Sequence, residues 1–104
     1  MKYQLVLQWY CSSFSSGDFQ RLQMIEGILI SGLGDRGVVD GHDIGSGEFN
    51  IFIHTNDVKL ALSKVKELLG PPRYFQDMRA GYRSFEENEY FPMHPEDMDD
   101  FRVK

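Results

Sequence analysis

The chain has a single cysteine, Cys11, and no apolar run that approaches the length of a membrane helix. One cysteine excludes an internal disulfide and a thiolate metal cage. A membrane helix needs about 20 predominantly apolar residues, and a signal peptide needs a continuous apolar stretch. The first residues instead alternate polar with apolar side chains. We therefore expect a cytoplasmic protein without a targeting segment or a membrane partner.

Basic side chains are also scarce. The sequence has 11 lysines and arginines against 16 aspartates and glutamates, which gives a formal net charge of −5. Phosphate neutralisation needs clustered Lys and Arg, so this charge argues against nucleic acid as a partner. It is compatible with a basic protein partner, and it is also an ordinary charge for solubility.

The chain does contain enough apolar material for one folded domain. Hydrophobic residues make up 41% and aromatic residues 13% of the 104 residues, which suffices for one modest core. We expect a single domain over residues 1–93. Residues 94–104 are predicted to be an acidic C-terminal tail, in which the stretch Glu96–Asp100 is solvated or forms one helical turn.

Hydrophobic periodicity predicts four main strands and two helices. Strands are expected over residues 2–10, 36–42, 48–54 and 74–85, with a short additional strand near Tyr90-Phe91. Helices are expected over residues 19–31 and from a cap at residues 55–57 to Gly70-Pro71-Pro72. Gly27 interrupts the first helix, and we expect its close approach to the sheet to be the reason.

The order β-α-β-β-α-β predicts a ferredoxin-like α+β sandwich, in which two helices cover one face of an antiparallel sheet. The first and third strands would lie side by side, and the other face would be open. Strand alternation places on this open face the side chains of Gln4, Val6, Gln8, Asn50, Phe52, His54, Arg79 and Arg83. Such a mixed surface is typical of a binding or dimer interface.

The stretch Asp40–Asn50 joins the second and third predicted strands and is dense in glycines and carboxylates. In a structural interpretation, its aspartates bond the amides of a glycine-rich turn. In a functional one, it forms a ligand-binding or catalytic site. The site residues would be His42, Asp43, Glu48 and His54. No spacing matches a known metal motif, so we predict neither a metal nor another cofactor.

Other motifs give weaker signals. Gly45-Ser46-Gly47 lacks the helix N-terminus of a phosphate loop. Glu48 stands where an RNA-reading strand needs a basic residue. Cys11 is interpreted as a packed residue because no base is placed beside it. Arg79 and Arg83 share one face of the fourth strand and can clamp a carboxylate or pair with nearby acidic side chains.

The segment D-G-H-D-x-G-S-G-E-x-N-I-F, at residues 40–52, resembles a motif of small bacterial proteins that have a ferredoxin-like body and no assigned activity. Tyr82-Arg83 and Phe91-Pro92 are similar to that group's later strands. In type, as a small acidic domain, the chain is also similar to immunity proteins of bacterial toxin systems. Those proteins neutralise a basic toxin, often a nuclease, by binding it.

These similarities imply a non-enzymatic protein that binds a basic toxin domain through acidic side chains and aromatic anchors. The candidate binding residues are Asp40, His42, Asp43, Glu48, Asn50, Phe52, His54, Arg79, Arg83 and Tyr90. Two alternatives stay open: a small dimeric ligand-binding protein or enzyme that uses the hairpin site, and a plain structural homodimer.

Overall fold

The computed structural model describes residues 1–11, 15–45, 47–70, 77–95, 98 and 100–103. The elements are β1 (Tyr3–Tyr10), α1 (Ser16–Gly32), a 3-10 turn (Gly34–Arg36), β2 (Val38–Gly45), β3 (Glu48–Thr55), α2 (Val58–Leu69), β4 (Arg79–Ser84) and β5 (Phe91–His94). The strands form one antiparallel sheet in the order β2-β3-β1-β4-β5. The predicted ferredoxin-like arrangement is confirmed, and β5 is the additional short strand.

Both helices begin where the sequence provides a cap. Ser15 and Asp18 form a capping box at α1, in which each side chain accepts a hydrogen bond from the other residue's backbone amide. The Asp57 carboxylate accepts from the amides of Lys59 and Leu60 at the start of α2. No helix in the described part of the chain is long and apolar enough to cross a membrane.

The core lies between the helices and one face of the sheet. On this face, Leu5, Leu7 and Trp9 of β1 lie directly opposite Ile53, Ile51 and Phe49 of β3, and all six side chains are buried. The Trp9 and Phe49 rings stack with their centroids 5.2 Å apart. Burying each such side chain stabilises the fold by about 1.5–3 kcal/mol. Strict alternation in two adjacent strands therefore accounts for the helix-covered face.

The expectation for Gly27 is wrong. Gly27 is exposed, and a Cβ atom at this position would have no heavy atom within 4 Å outside its own helix and chain neighbours. The α1 glycine that does lie close to a neighbouring element is Gly32, where a Cβ atom would clash with the Leu68 side chain of α2. The helices therefore approach one another at the end of α1, not at its middle.

The second face of the sheet is half covered, although the sequence predicted that it would be open. The covering residues are Met98 and residues 100–103, which we call the C-terminal segment. Phe101 is only 3% exposed, and its ring lies on Gly81 of β4. The Arg102 carbonyl accepts a 2.7 Å hydrogen bond from Gln8 Nε2. A buried aromatic side chain and a backbone hydrogen bond thus join the segment to the sheet.

Asp100, the one acidic residue of the predicted solvated stretch Glu96–Asp100 that the structure describes, is exposed, as is Arg102, whereas Phe101 lies beyond that stretch and is buried. Several other predictions fall outside the described residues. These are the Pro71-Pro72 stop after α2, the first part of the predicted fourth strand at residues 74–76, and the tail positions 96, 97, 99 and 104.

Candidate functional site

A β-bulge in β2 decides where the side chains of the Asp40–Asn50 stretch point. Val39 lies opposite Ile53, but the next pair is Gly41 with Phe52, so Asp40 is an extra residue in the ladder. Beyond the bulge, His42 is paired with Ile51 and Asp43 with Asn50. Directly opposite residues share a face, so His42 lies on the helix-covered face and Asp43 on the other.

His42 and His54 consequently lie on opposite faces of the sheet. His42 Nδ1 lies 2.9 Å from Glu26 Oε2 of α1. His54 Nε2 lies 3.4 Å from Asp40 Oδ2 on the face away from the helices. The site proposed for His42, Asp43, Glu48 and His54 is therefore not assembled. Among the described residues, no group of three or more His, Cys, Asp and Glu side chains could hold a metal ion.

Glu48 and Asn50 belong to a buried polar cluster with Gln8, and each of the three is 0% exposed. Gln8 Nε2 donates to Glu48 Oε2 at 2.9 Å and to Asn50 Oδ1 at 3.1 Å, as well as to the Arg102 carbonyl. Asn50 Nδ2 also donates to Glu48 Oε2 at 2.9 Å. The C-terminal segment covers the cluster, so Glu48 and Asn50 are not accessible to another protein in this conformation.

Arg79 lies beside the same segment and is engaged by it. Its Nη2 donates to the Asp100 carbonyl at 3.2 Å and its Nε donates to Met98 Sδ at 3.2 Å. The guanidinium also lies over the rings of Tyr10 and Phe101, at 5.0 and 5.9 Å from their centroids. Through these contacts Arg79 joins the C-terminal segment to the sheet. Its guanidinium is therefore already engaged within the chain and is a poor candidate for clamping a carboxylate of a partner.

The remaining part of this face carries a set of aromatic and polar side chains, which we call the aromatic patch: Gln4, Phe52, His54, Arg83, Phe85 and Tyr90. Gln4 Oε1 accepts from Tyr90 Oη at 2.9 Å and from Arg83 Nε at 3.2 Å. The Arg83 guanidinium lies 5.5 Å from the centroid of the Phe85 ring and 5.9 Å from that of Tyr90.

His54 extends the aromatic patch toward β2, because its ring meets the edge of the Phe85 ring at 4.8 Å. Three of the predicted binding residues, His54, Arg83 and Tyr90, are thus linked, and a fourth, Phe52, lies on the same face by its position in β3. Each side chain is held by at least one neighbour or by the sheet, so the patch is ordered before any partner arrives.

Phe85 and Gln4 were not among the predicted binding residues. Phe85 follows β4 by one residue and is 40% exposed, while its backbone amide donates to the Lys2 carbonyl at 3.2 Å. The signal was available, because Phe85 stands two residues after Arg83 and shares its face in an extended chain.

Exposed carboxylates flank the aromatic patch on two sides. Asp40 and Asp43 lie on β2 at one edge of the sheet, and the Asp40 side chain is 55% exposed. Glu86, Glu87 and Glu89 are exposed in the connection from β4 to β5 at the other side. None of the ion pairs found among the described residues engages Arg79 or Arg83.

Cys11 lies apart from this face, at the end of β1. It is partly buried against the core, and its backbone amide donates to the Gly47 carbonyl at 2.9 Å. Burial raises the pKa of the Cys11 thiol, and the negative charge of Asp18 raises it further. A thiol with a raised pKa stays protonated near neutral pH, which is the opposite of what a nucleophile needs.

Comparison with known proteins adds no relative, since no protein-family model, no curated protein and no solved structure matches this chain. The resemblance of residues 40–52 to a bacterial motif stays a prediction.

Proposed function

We propose that this chain is a non-enzymatic cytoplasmic protein that binds a basic protein, and most concretely an immunity protein that neutralises a bacterial toxin domain. The observation that carries the proposal is the aromatic patch with exposed carboxylates on two sides. Interfaces obtain most of their affinity from a few aromatic and arginine side chains at the centre. Charged residues at the rim contribute mainly to specificity and to the rate of association.

The chemistry of the patch supports a basic protein as the partner. Phe52, Phe85 and Tyr90 offer apolar area, while Asp40 and Asp43 on one side and the glutamates of residues 86–89 on the other offer negative charge. A toxin domain that cleaves nucleic acid presents a basic surface, and such a surface complements this arrangement. An occluding protein needs no catalytic group, and the separation of His42 from His54 is consistent with that.

The first experiment identifies the partner and tests its activity. The affinity-tagged chain is purified from its native host, and any protein bound in stoichiometric amount is identified. That protein is then expressed in a bacterial indicator strain with and without this chain. We expect a basic domain that stops growth alone and permits growth when the chain is present. Absence of a stoichiometric partner, or a partner that is harmless alone, would contradict the proposal.

The second experiment reverses the charge of two carboxylates beside the aromatic patch. In the variant Asp40→Lys/Asp43→Lys, association with the captured partner should slow by about tenfold or more at low salt, and the difference should shrink as salt increases. The matched control is Asp35→Lys/Glu67→Lys, which changes the net charge equally at exposed positions outside this face. Equal slowing in both variants would assign the effect to net charge and not to the patch.

A further inference from the structure

Strand β2 forms one edge of the sheet, and nothing in the described part of the chain pairs with its outer side. Beyond the bulge, residues 41–45 pair with β3 in an unbroken register. His42, Asp43 and Ile44 are all exposed there. An edge strand presents a row of backbone N–H and C=O groups that another strand can use. We call this row, on residues 41–45, the β2 edge.

The direction of each backbone group in β3 follows from the pairing of β3 with β1. Cys11 and Gly47 extend that pairing by one position, and the Cys11 amide donates to the Gly47 carbonyl at 2.9 Å. Hydrogen-bonded and non-hydrogen-bonded pairs alternate along an antiparallel ladder. Gly47 and every second residue after it therefore bond to β1, and the residues between them, among which is Asn50, bond to β2.

The same alternation assigns the backbone groups of β2. Asp43 is the partner of Asn50, so its N–H and C=O groups are used within the sheet. The backbone groups of its neighbours His42 and Ile44 consequently point away from β3. Each of these two residues offers one donor and one acceptor at the β2 edge, and an extended segment laid along the edge can bond to both.

The opposite edge of the sheet is protected in ways that the β2 edge is not. Strand β5 has only four residues, Phe91–His94, and it contains Pro92, which has no N–H to donate. Its pairing with β4 also shifts register between Ala80 and Gly81. Short edge strands, proline and irregular pairing all hinder the addition of a further strand. Residues 41–45 contain neither proline nor lysine and pair regularly.

The side chains of β2 favour a basic segment. Asp43 lies on the second face of the sheet and takes part in none of the ion pairs found among the described residues. In an added strand, the side chain beside Asp43 lies on the same face, where a lysine or arginine would pair with that carboxylate. On the helix-covered face, an apolar side chain would lie beside Ile44, which is 42% exposed.

We propose that the β2 edge binds an extended, basic segment of the partner protein as a further strand of the sheet. The segment alternates basic residues, which lie beside Asp43, with apolar residues, which lie beside Ile44. This inference rests on the proposed function, from which it takes the basic partner, and adds to it the mode of binding. Asp40 and Asp43 also border the aromatic patch, so one partner can cover the patch and extend the sheet.

A second copy of this chain is a poor occupant of the β2 edge. In an antiparallel pair of two β2 strands, the Asp43 carboxylates of both copies lie on the same face, and each chain brings a net charge of −5. Like charges on neighbouring strands are destabilising. The carboxylates that disfavour a second copy are the same ones that attract a basic segment.

Nuclear magnetic resonance of the isotopically labelled chain tests the β2 edge without the natural partner. The probe is a synthetic peptide that alternates lysine with valine, and the matched control has glutamate in place of lysine. The lysine peptide should shift the amide resonances of His42 and Ile44 and slow their exchange with solvent. It should bind at least about tenfold more tightly than the control at low salt. Equal binding of both peptides, or shifts that spare these two amides, would overturn the proposal.

Methylation of the peptide amides separates hydrogen bonding from charge. In a strand, the N–H groups of successive residues point to opposite edges, so the lysine amides and the valine amides lie on opposite edges of the peptide. Methylation of one of these two sets should abolish binding to the wild-type chain, and methylation of the other should preserve it. Loss of binding in both cases, or in neither, would contradict strand addition.

The variant Ile44→Pro removes from the chain an N–H that the sheet does not use. Proline is tolerated in an edge strand where its N–H would face solvent, so the variant should stay folded. It should bind the lysine peptide about tenfold more weakly. Ile44→Val keeps both the amide and an apolar side chain, and it should bind as the wild type does. Unfolding of Ile44→Pro would show that this N–H is bonded within the sheet, and undiminished binding would show that the peptide lies elsewhere; either result refutes the proposal.

The two proposals fail in different ways. A chain that binds the lysine peptide at the β2 edge but captures no toxic partner would retain the edge as a binding site and lose the immunity function. A chain that neutralises a captured toxin, and whose Ile44→Pro variant binds that toxin as tightly as the wild type does, would retain the immunity function and exclude strand addition.

Discussion

The phenyl ring of Phe101 occupies the space in which a methyl group at position 81 would lie, so Gly81 and Phe101 fit one another directly. Gly81 lies opposite Val6 of the central strand β1, and the ring covers Gly81 on the second face of the sheet. This contact joins a residue of β4 to one that lies twenty positions later in the chain.

Replacement of Gly81 by alanine should displace Phe101 and destabilise the fold by about 2 kcal/mol, which is the burial energy of one phenylalanine side chain. Phe101→Ala should cost about 3 kcal/mol. Because both variants remove the same contact, the double variant should be little worse than Phe101→Ala alone. Urea unfolding of the four proteins measures this coupling, and strictly additive losses would contradict it.

The side-chain amide of Gln8 should contribute to the stability of the fold, because it donates a hydrogen bond to the buried carboxylate of Glu48. Gln8→Leu removes the donor to Glu48 and to the Arg102 carbonyl, and a buried polar group that loses its partner costs about 1–3 kcal/mol. Asn50 accepts from Gln8 and donates to Glu48, so the triple variant Gln8→Leu/Glu48→Leu/Asn50→Leu should recover most of that loss, since all three members of the cluster are then apolar. Guanidinium unfolding midpoints test this, and a triple variant less stable than Gln8→Leu would be the contrary result.

The capping box at α1 should make stability depend on pH. The hydrogen bonds from the Ser15 amide and hydroxyl lower the pKa of Asp18. A carboxyl group whose pKa is lowered by folding contributes stability above its unfolded pKa, and loses that contribution as the pH falls through its folded pKa. The wild type should therefore exceed Asp18→Asn in stability near neutral pH.

That advantage of the wild type should disappear in strong acid. Ser15→Ala removes the cap itself and should cost about 1 kcal/mol near neutral pH. Urea midpoints measured from neutral to strongly acidic pH compare the three proteins. A difference between wild type and Asp18→Asn that does not shrink in acid would show that the carboxylate is not the group responsible.

Cys11 should react slowly with alkylating reagents in the folded state. Burial is the main cause that raises its thiol pKa, with Asp18 second, while Arg21 lowers it. The rate of alkylation by iodoacetamide should therefore begin to rise at a higher pH in the folded chain than in the unfolded chain. Asp18→Asn should shift the profile to lower pH, and Arg21→Gln should shift it to higher pH. Shifts in the reverse directions would contradict this assignment of charges.

The fold follows from the sequence because local signals agree. The alternation in residues 2–10 and 48–54 predicts the two strands that carry the core, and the capping residues at 55–57 predict the start of α2. The sequence predicts a first helix that begins at Phe19 after a cap at Ser16 or Asp18, whereas α1 begins three residues earlier, at Ser16 after the cap at Ser15. Aromatic and arginine residues at alternate positions similarly predict part of the aromatic patch. Such signals lie within a few residues of one another and need no knowledge of tertiary contacts.

The remaining features depend on contacts between distant residues. The bulge at Asp40 is an irregularity of one residue, and nothing in the sequence of β2 distinguishes it from a regular strand. Regular alternation through this position would have placed His42 on the same face as His54. Phe101 stands alone among charged residues, and its docking depends on Gly81.

The bulge also determines how β2 tolerates changes of chain length. Asp40 is a spare residue in the pairing with β3, so its deletion leaves Val39 opposite Ile53 and Gly41 opposite Phe52. Deletion of a regularly paired residue within β3 would instead move the following side chains to the opposite face. Among the positions of this hairpin, residue 40 is therefore where a length variant can arise without rearranging the sheet, at the cost of the contact between Asp40 and His54.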